Sequence, residues 1–485
     1  MDMITMPAVN FTPILPEIFL SVLAMCLLLI NVFSPNGKKT YLTYISFIGL
    51  VVAAVLVGSG WGAHIESFNG AVVLDNFATF FKMIFLLSAG LAVLISDQYM
   101  EREGCNHGEL YPIILFTVVG MMLMASGTDL MTIFLGLEVM SVSLYVLAGF
   151  NRANRKSNEA GLKYFLLGSF STGFLLYGMA LIYGATGTTR IAGIASVLGQ
   201  MTLPATNIML VAGMLLMFTG FAFKVAAAPF HMWTPDVYEG APTPMTAFMS
   251  TGPKAAAFAA LLRLFLVALP TLQVEWSQLL WVLAVLTMTV GNITALRQDN
   301  IKRMLAYSSI AHAGYCLVGF TAGNGTGTSA ILFYMLSYAF MNIGAFAIII
   351  LIAKKGESNG TVMDLAGLGF KRPVLALAMT IFMFSLAGVP PTAGFIGKFY
   401  LFSGAIQEGY IWLAILGVLN SAASVYYYLR VIVYMYMKDP SEEFEWTSLT
   451  APVALALVLA VAGTLILGIV PSFVLQYAQM AVSML

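Results

Sequence analysis

Four lysines, Lys82, Lys224, Lys254 and Lys398, lie within long apolar stretches of the sequence. An ammonium near the centre of a bilayer costs about 2.5–3.5 kcal/mol on insertion scales, and roughly 10 or more in simulations of an isolated helix. A chain that keeps such groups uses them on ions or protons. Glu138, in "TIFLGLEVMSVSLY", is the acid that accompanies them. It falls about nine residues into its apolar run, roughly 13 Å deep at about 1.5 Å per residue. Lys254, in "STGPKAAAFAALLRLF", has a similar depth beside Pro253. Lys224 precedes Pro229 in "GFAFKVAAAPFHMWTP", and Lys398 follows Pro390 and Pro391 in "SLAGVPPTAGFIGKFY". Proline removes a backbone donor, so both helices should break and leave carbonyls free to face a cavity.

Burial favours a neutral lysine, and a nearby carboxylate favours a charged one. Two unit charges about 4 Å apart interact by roughly 4 kcal/mol at an effective dielectric of about 20. Moving or neutralising Glu138 would therefore switch Lys224 between its two forms, as a proton pump requires. Sodium fits less well, because Na⁺ seeks several oxygen ligands and this set offers mainly ammonium groups. Each residue also has a plainer reading. Lys224 could snorkel to the interface, Lys254 could be paired for packing, and Glu138 could be hydrogen-bonded within the bundle. His312, in "SSIAHAGY", is either a relay or a satisfied core histidine. His231 and Trp233, in "PFHMWTP", are either relay parts or an interfacial anchor. Lys163 and Arg430 sit near span ends, where they snorkel or, for Lys163, feed the interior. Lys82 is expected to snorkel and Arg263 to anchor the outer face.

The elements that hold these residues must be membrane helices. The 485-residue chain is 60% hydrophobic and 9% charged, where a soluble protein carries roughly 25% charge. Zero net charge gives no sign of nucleic acid as a partner. Cys26, Cys105 and Cys316 are scattered with no CxxC, so no metal or iron–sulfur site is expected in this chain. The run from about Phe11 lacks a basic leader and reads as a retained first span.

A span needs about 20 apolar residues, and on that rule there are about fourteen. They fall near 12–33, 41–58, 76–97, 110–126, 129–150, 160–184, 207–232, 243–268, 276–296, 304–322, 328–353, 373–407, 410–437 and 450–477. The fold class is therefore all-α and polytopic, with no soluble domain in the connections. Loops after odd-numbered spans hold Lys38, Lys39, Arg102, Arg152, Arg155, Lys156, Arg297, Lys302, Arg303, Lys354, Lys355, Lys371, Arg372 and Lys438. Loops after even-numbered spans hold only Arg190. By the positive-inside bias the odd loops are cytoplasmic and both termini face the periplasm.

The two broken spans are the seventh and the twelfth, each fourth in a group of five. Five is odd, so the groups are inserted in opposite senses, and paired discontinuous helices mark a midplane ion site. The parts are then three leading helices in 1–109, a first five-helix repeat in 110–270, its inverted counterpart in 271–438 and a closing helix in 439–485.

"GFAFKVAAAPFHMWTPDVYEGAPTPMTAFMSTGPKAAAF", "NITALRQDNIKRMLAYSSIAHAGY" and "SLAGVPPTAGFIGKFYLF" strongly resemble the antiporter-like membrane subunits of respiratory complex I. Related subunits and the multisubunit cation/proton antiporters read "PFHxWLPDAH" after the break; "PFHMWTPDVYEG" here resembles the N type. A lysine rather than a glutamate at Lys398 also favours that type over the M type. The resemblance covers nearly the whole chain.

It implies fourteen helices with helices four to eight and nine to thirteen as inverted repeats. It implies a coupled pair at Glu138 and Lys224, a central relay at Lys254 and an exit-side lysine at Lys398. The implied activity is proton translocation within an NADH–quinone oxidoreductase of the bacterial inner membrane, driven by quinone chemistry elsewhere. FMN, iron–sulfur clusters and quinone would belong to partner chains. Those partners would be subunit M, the small subunits K and J, and a peripheral NADH-oxidising arm. A cation/proton antiporter subunit and a membrane spacer that pumps nothing are the rival readings.

Overall fold

A computed structural model describes residues 10–34, 39–202, 204–353, 360–439 and 448–485. Lys38, Lys354 and Lys355 lie outside the described residues. Helices α1 (Leu15–Phe33) and α2 (Thr40–Gly58) lead into an antiparallel hairpin, β1 (Ile65–Ser67) and β2 (Val72–Leu74), with Ile65 opposite Leu74. Then come α3 (Asn76–Arg102), α4 (Leu110–Ser126), α5 (Leu130–Ala148), α6 (Arg155–Thr186) and the short α7 (Ile191–Gln200). Helices α8 (Ile208–Val225), α9 (Trp233–Gly240) and α10 (Thr243–Arg263) follow. The second half holds α11 (Gln273–Leu296), α12 (Ile301–Ala322), α13 (Gly325–Ile352), α14 (Leu368–Lys371), α15 (Pro373–Ala387), α16 (Ala393–Gln407) and α17 (Ile411–Met437). The last two are α18 (Ala451–Ile469) and α19 (Ser472–Val482).

Eleven helices among the described residues are long and apolar enough to cross a membrane. Side-chain caps fix where many of them begin. Asp75 accepts from the Ala78 amide at 2.7 Å, Asp129 from Met131 at 2.8 Å and Asn324 from Gly327 at 2.7 Å. Each such cap satisfies an orphan donor and is worth about 1 kcal/mol. Helices α3, α10 and α13 are enclosed by protein along most of their length, whereas α1, α6 and α17 turn much of their surface outward. The interior is thus built around α10 and α13, with α12 and α16 beside them. Close crossings use small residues. A methyl group on Gly120 of α4 would lie 2.5 Å from the Met140 amide of α5, so only glycine fits there.

Both expected breaks are present. Helix α8 stops at Val225, where Ala226 takes the left-handed conformation (φ 62°) that a β-carbon disfavours. Such a residue costs roughly 1–2 kcal/mol and persists only where the surroundings impose it. The chain resumes as α9 at Trp233. Helix α15 stops at Ala387, with Gly388 at φ 88°, and α16 resumes at Ala393. Two connections hold more structure than the sequence reading gave them. The 59–75 segment forms the hairpin and 187–206 contains α7. Three-residue strands are too short to show a period of two.

Candidate functional site

The break in α15–α16 makes the seat of Lys398. A helix end leaves its last carbonyls without intrahelical donors. Lys398 Nζ donates to two of them, Leu386 O at 2.9 Å and Ala387 O at 3.0 Å, and to Ser421 Oγ of α17 at 3.0 Å. The ammonium also lies 4.7 Å above the Tyr315 ring. The negative end of the α15 dipole points at this charge, a favourable placement for a cation.

Lys224 sits in the last turn of α8 and is held from α5. Its Nζ donates to Ser141 Oγ at 2.8 Å and to Tyr145 OH at 3.3 Å. Trp233, on the far side of the break, donates Nε1–H to Phe223 O at 3.0 Å, tying the two sides of the break together. Its ring stacks on Tyr164 at 4.4 Å. Trp233 is therefore a buried clasp across the break, not an interfacial anchor. Glu138 is one turn before Ser141 on α5, half-buried, with Oε1 buried and unpartnered. The contact pair of about 4 Å considered above is absent: Glu138 stands one turn away, and Ser141 and Tyr145 make the bonds.

Lys254 of α10 donates to Ser309 Oγ at 2.6 Å and to Ser309 O at 3.1 Å, both on α12. One turn further along α12, His312 is bonded on both ring nitrogens. Nδ1 meets Tyr334 OH at 2.5 Å, and Nε2 meets Tyr428 OH at 2.9 Å.

A contrast separates these lysines from the other buried cations. Lys82 is fully buried and paired with Glu17 at 2.6 Å, so it does not snorkel: α1 supplies a carboxylate at its depth. Arg263 is also buried rather than anchored outside, because Asp75 meets it at 2.9 Å and Ala125 O at 3.1 Å. Lys224, Lys254 and Lys398 are buried too, yet among the described residues none has an ion-pair partner. Their neighbours are neutral hydroxyls, carbonyls and aromatic rings.

Two candidates stand apart. His231 is half-buried between exposed Pro229 and Met232, and its Nδ1 has no hydrogen-bond partner. The structure does not bring it to the lysines. Lys163 lies at the end of the molecule that bears the basic loops, in an ion-pair lattice the sequence reading missed. It meets Glu159 at 2.7 Å and Asp236 at 2.8 Å. Arg303 of α12 meets Asp236 at 2.8 Å and Glu239 at 2.9 Å, and Lys156 meets Glu239 at 2.8 Å. These groups line a cavity of about 210 Å³ at the outer end of α9. Partial burial works against ionisation of Asp236, but bonds from Lys163 and Arg303 outweigh it and hold its carboxyl below the usual range. Glu239 is lowered in the same way by Lys156 and Arg303. The signal was available in "PDVYEG", whose two acids follow the break within one turn of each other.

A polytopic helical membrane protein with broken helices and a lysine-lined interior is the class these features define. Residues 127–424 match the family model described as NADH:quinone oxidoreductase/Mrp antiporter, TM. The chain is 75% identical to NADH-quinone oxidoreductase subunit N of Trichlorobacter lovleyi, over 98% of both chains. A chain of respiratory complex I from Thermus thermophilus superposes with TM-score 0.81 at 35% identity, covering 95% of this chain and 99% of that one. A chain of the Mrp complex from Dietzia shares the fold alone, with TM-score 0.85 at 20% identity, covering 98% of this chain and 97% of that one. The chain belongs to the subunit N family of NADH-quinone oxidoreductase.

Proposed function

We propose that this chain is the proton-translocating subunit N of a bacterial NADH–quinone oxidoreductase. Glu138, Lys224, Lys254 and Lys398 carry the transfer, with His312 as a relay between the last two. The observation that carries this reading is the missing counter-ion. A lysine locked to a carboxylate keeps its proton, whereas a buried lysine held by neutral groups can release it when its surroundings change. Lys82 and Arg263, which have carboxylate partners, are structural. Lys163 belongs to the mouth of the path, and His231 is left outside it.

In this reading the chain crosses the inner membrane fourteen times. Helices α4, α12 and the broken α15–α16 complete the count beyond the eleven long apolar ones. The spans form two inverted five-helix repeats, within 110–270 and 271–438, between leading helices in 1–109 and a closing helix in 439–485. The basic loops and the Asp236 lattice face the cytoplasm, and both termini face the periplasm. Redox energy comes from partner chains that hold FMN, iron–sulfur clusters and quinone. Subunit M and the small subunits K and J are the expected membrane neighbours. The antiporter alternative is favoured less, because its structural likeness here is to a chain only 20% identical.

The test is Lys254→Ala in the whole complex. Proton pumping and quinone reduction, normalised to assembled complex, should both fall. Wild-type pumping in that variant would refute the assignment.

A further inference from the structure

We propose that Tyr428 and Tyr334 are the two proton-passing hydroxyls on either side of His312, joining the Lys254 end of the interior to the Lys398 end. The inference rests on the reading above and extends it to residues that carry no charge. His312 is 3% exposed, and Tyr428 and Tyr334 are 1% and 0%. The two tyrosines come from α17 and α13, so the tertiary fold sets this geometry. A neutral imidazole has one N–H and one lone pair. With a hydroxyl on each nitrogen, one tyrosine donates to His312 and the other accepts from it. The ring is therefore wired in series.

The flanks of the wire point toward the two lysines. Tyr428 OH also bonds Ser308, and the next residue, Ser309, holds Lys254 Nζ at 2.6 Å. On the other side, the Tyr334 ring packs against Gly397, the neighbour of Lys398. A methyl on Gly397 would come within 2.3 Å of it. Tyr315 stands edge-on to His312 at 5.6 Å and carries Lys398 above its ring at 4.7 Å. A third hydroxyl, Tyr338 OH, is buried without a partner, and its ring is 5.0 Å from His312.

The step balances without any co-reactant. A proton arrives at the Tyr428 oxygen from the Ser308 side. Tyr428 passes its own proton to Nε2, which gives an imidazolium. Nδ1–H then passes to the Tyr334 oxygen, and Tyr334 releases its original proton toward Lys398. Each hydroxyl keeps its composition with its O–H turned round, and the imidazole is left as the opposite tautomer. Rotation of the hydroxyls and return of the tautomer reset the wire. A histidine held only for packing would need the bonds but not this directionality.

The test uses the whole complex in sealed vesicles with a lumenal pH dye. Tyr428→Phe keeps the ring and removes the hydroxyl. Losing a positioned proton-transfer group slows the step by about 10²-fold. Acidification normalised to assembled complex should therefore fall about tenfold or more, and its H₂O/D₂O rate ratio should rise. Tyr111→Phe is the control. Tyr111 OH of α4 is buried and accepts from Thr43 Oγ1 of α2 at 2.7 Å, outside the network around the imidazole. It should leave both rate and isotope ratio unchanged. Tyr334→Phe should reproduce the Tyr428→Phe result and replaces it if that variant does not assemble. Wild-type acidification in both Tyr428→Phe and Tyr334→Phe, with Lys254→Ala inactive, would overturn this inference alone. Wild-type acidification in Lys254→Ala as well would overturn the underlying reading.

Discussion

Lys398→Met is the most informative single change. It keeps the length of the side chain, so no cavity opens. Two effects of known sign then compete. Removing an ammonium from an apolar interior recovers about 2.5–3.5 kcal/mol. Removing the donor leaves Leu386 O, previously bonded at 2.9 Å, without a partner, and leaves Ala387 O with only Ser421 Oγ at 3.4 Å. Each unsatisfied buried acceptor costs about 1–3 kcal/mol. One such cost and one weakened bond against one gain leave a net change within roughly 3 kcal/mol of zero. Ser421 Oγ also loses its donor, but it retains Ala387 O as an acceptor at 3.4 Å. The subunit should therefore assemble, while proton transfer through the second broken helix stops. Lys398→Arg keeps the charge and removes the chemistry, because a guanidinium does not release its proton at any working pH. It should assemble and pump poorly. The assay is proton uptake and quinone reduction by membranes, normalised to complex on a native gel. Full pumping in Lys398→Met would end the case for Lys398 as a carrier. Full pumping in Lys398→Arg alone would make it a fixed charge.

Glu138→Ala should assemble and lower pumping, with Glu138→Asp milder; wild-type pumping in Glu138→Ala would remove Glu138 from the path. Glu17→Gln should instead fail in assembly, because it strands the buried Lys82 ammonium at a cost of about 3–5 kcal/mol; native gels read this, and Glu17→Gln complex of normal yield would contradict it. The Asp236 lattice carries its own pH dependence. A carboxyl lowered in the folded state stabilises above its unfolded pKa, and that contribution disappears as pH falls through the folded value. Hydrogen-exchange protection around α9, corrected for the intrinsic pH dependence of amide exchange, should therefore be flat across neutral pH and fall only below the ordinary carboxylate range. Protection lost already at neutral pH would contradict the direction. A reporter within 151–158 should read cytoplasmic and one within 187–202 periplasmic; the reverse at both sites would invert the topology.

Much of this site was legible in the residues themselves. Prolines near Lys224 and Lys398 located both breaks, because proline's missing donor acts locally. Apolar run length placed the helices for the same reason. Partners were another matter. Ser141 could have been anticipated, since it lies one turn from Glu138 on the same face of α5. Tyr428 could not, because it reaches His312 from a helix 116 residues further along the chain. Lys82 and Arg263 show the same limit from the other side. Read alone, each is a cation in an apolar stretch like Lys254. Only packing of α1 and α3 supplies Glu17 and Asp75, and those two carboxylates set Lys82 and Arg263 apart from Lys224, Lys254 and Lys398.

The lattice at the end of α9 behaves like a circuit with parallel branches. One branch runs from α6 through Lys163 and Asp236 to Arg303 on α12. The other runs from α6 through Lys156 and Glu239 to the same Arg303. Cutting any one bond leaves the other branch closed. A mutational scan that changes one carboxylate at a time would score each as dispensable, while Asp236→Asn with Glu239→Gln would cut both ionic ties of the half-helix at once, leaving its apolar packing. Arg303 has no such backup, because both branches end on it.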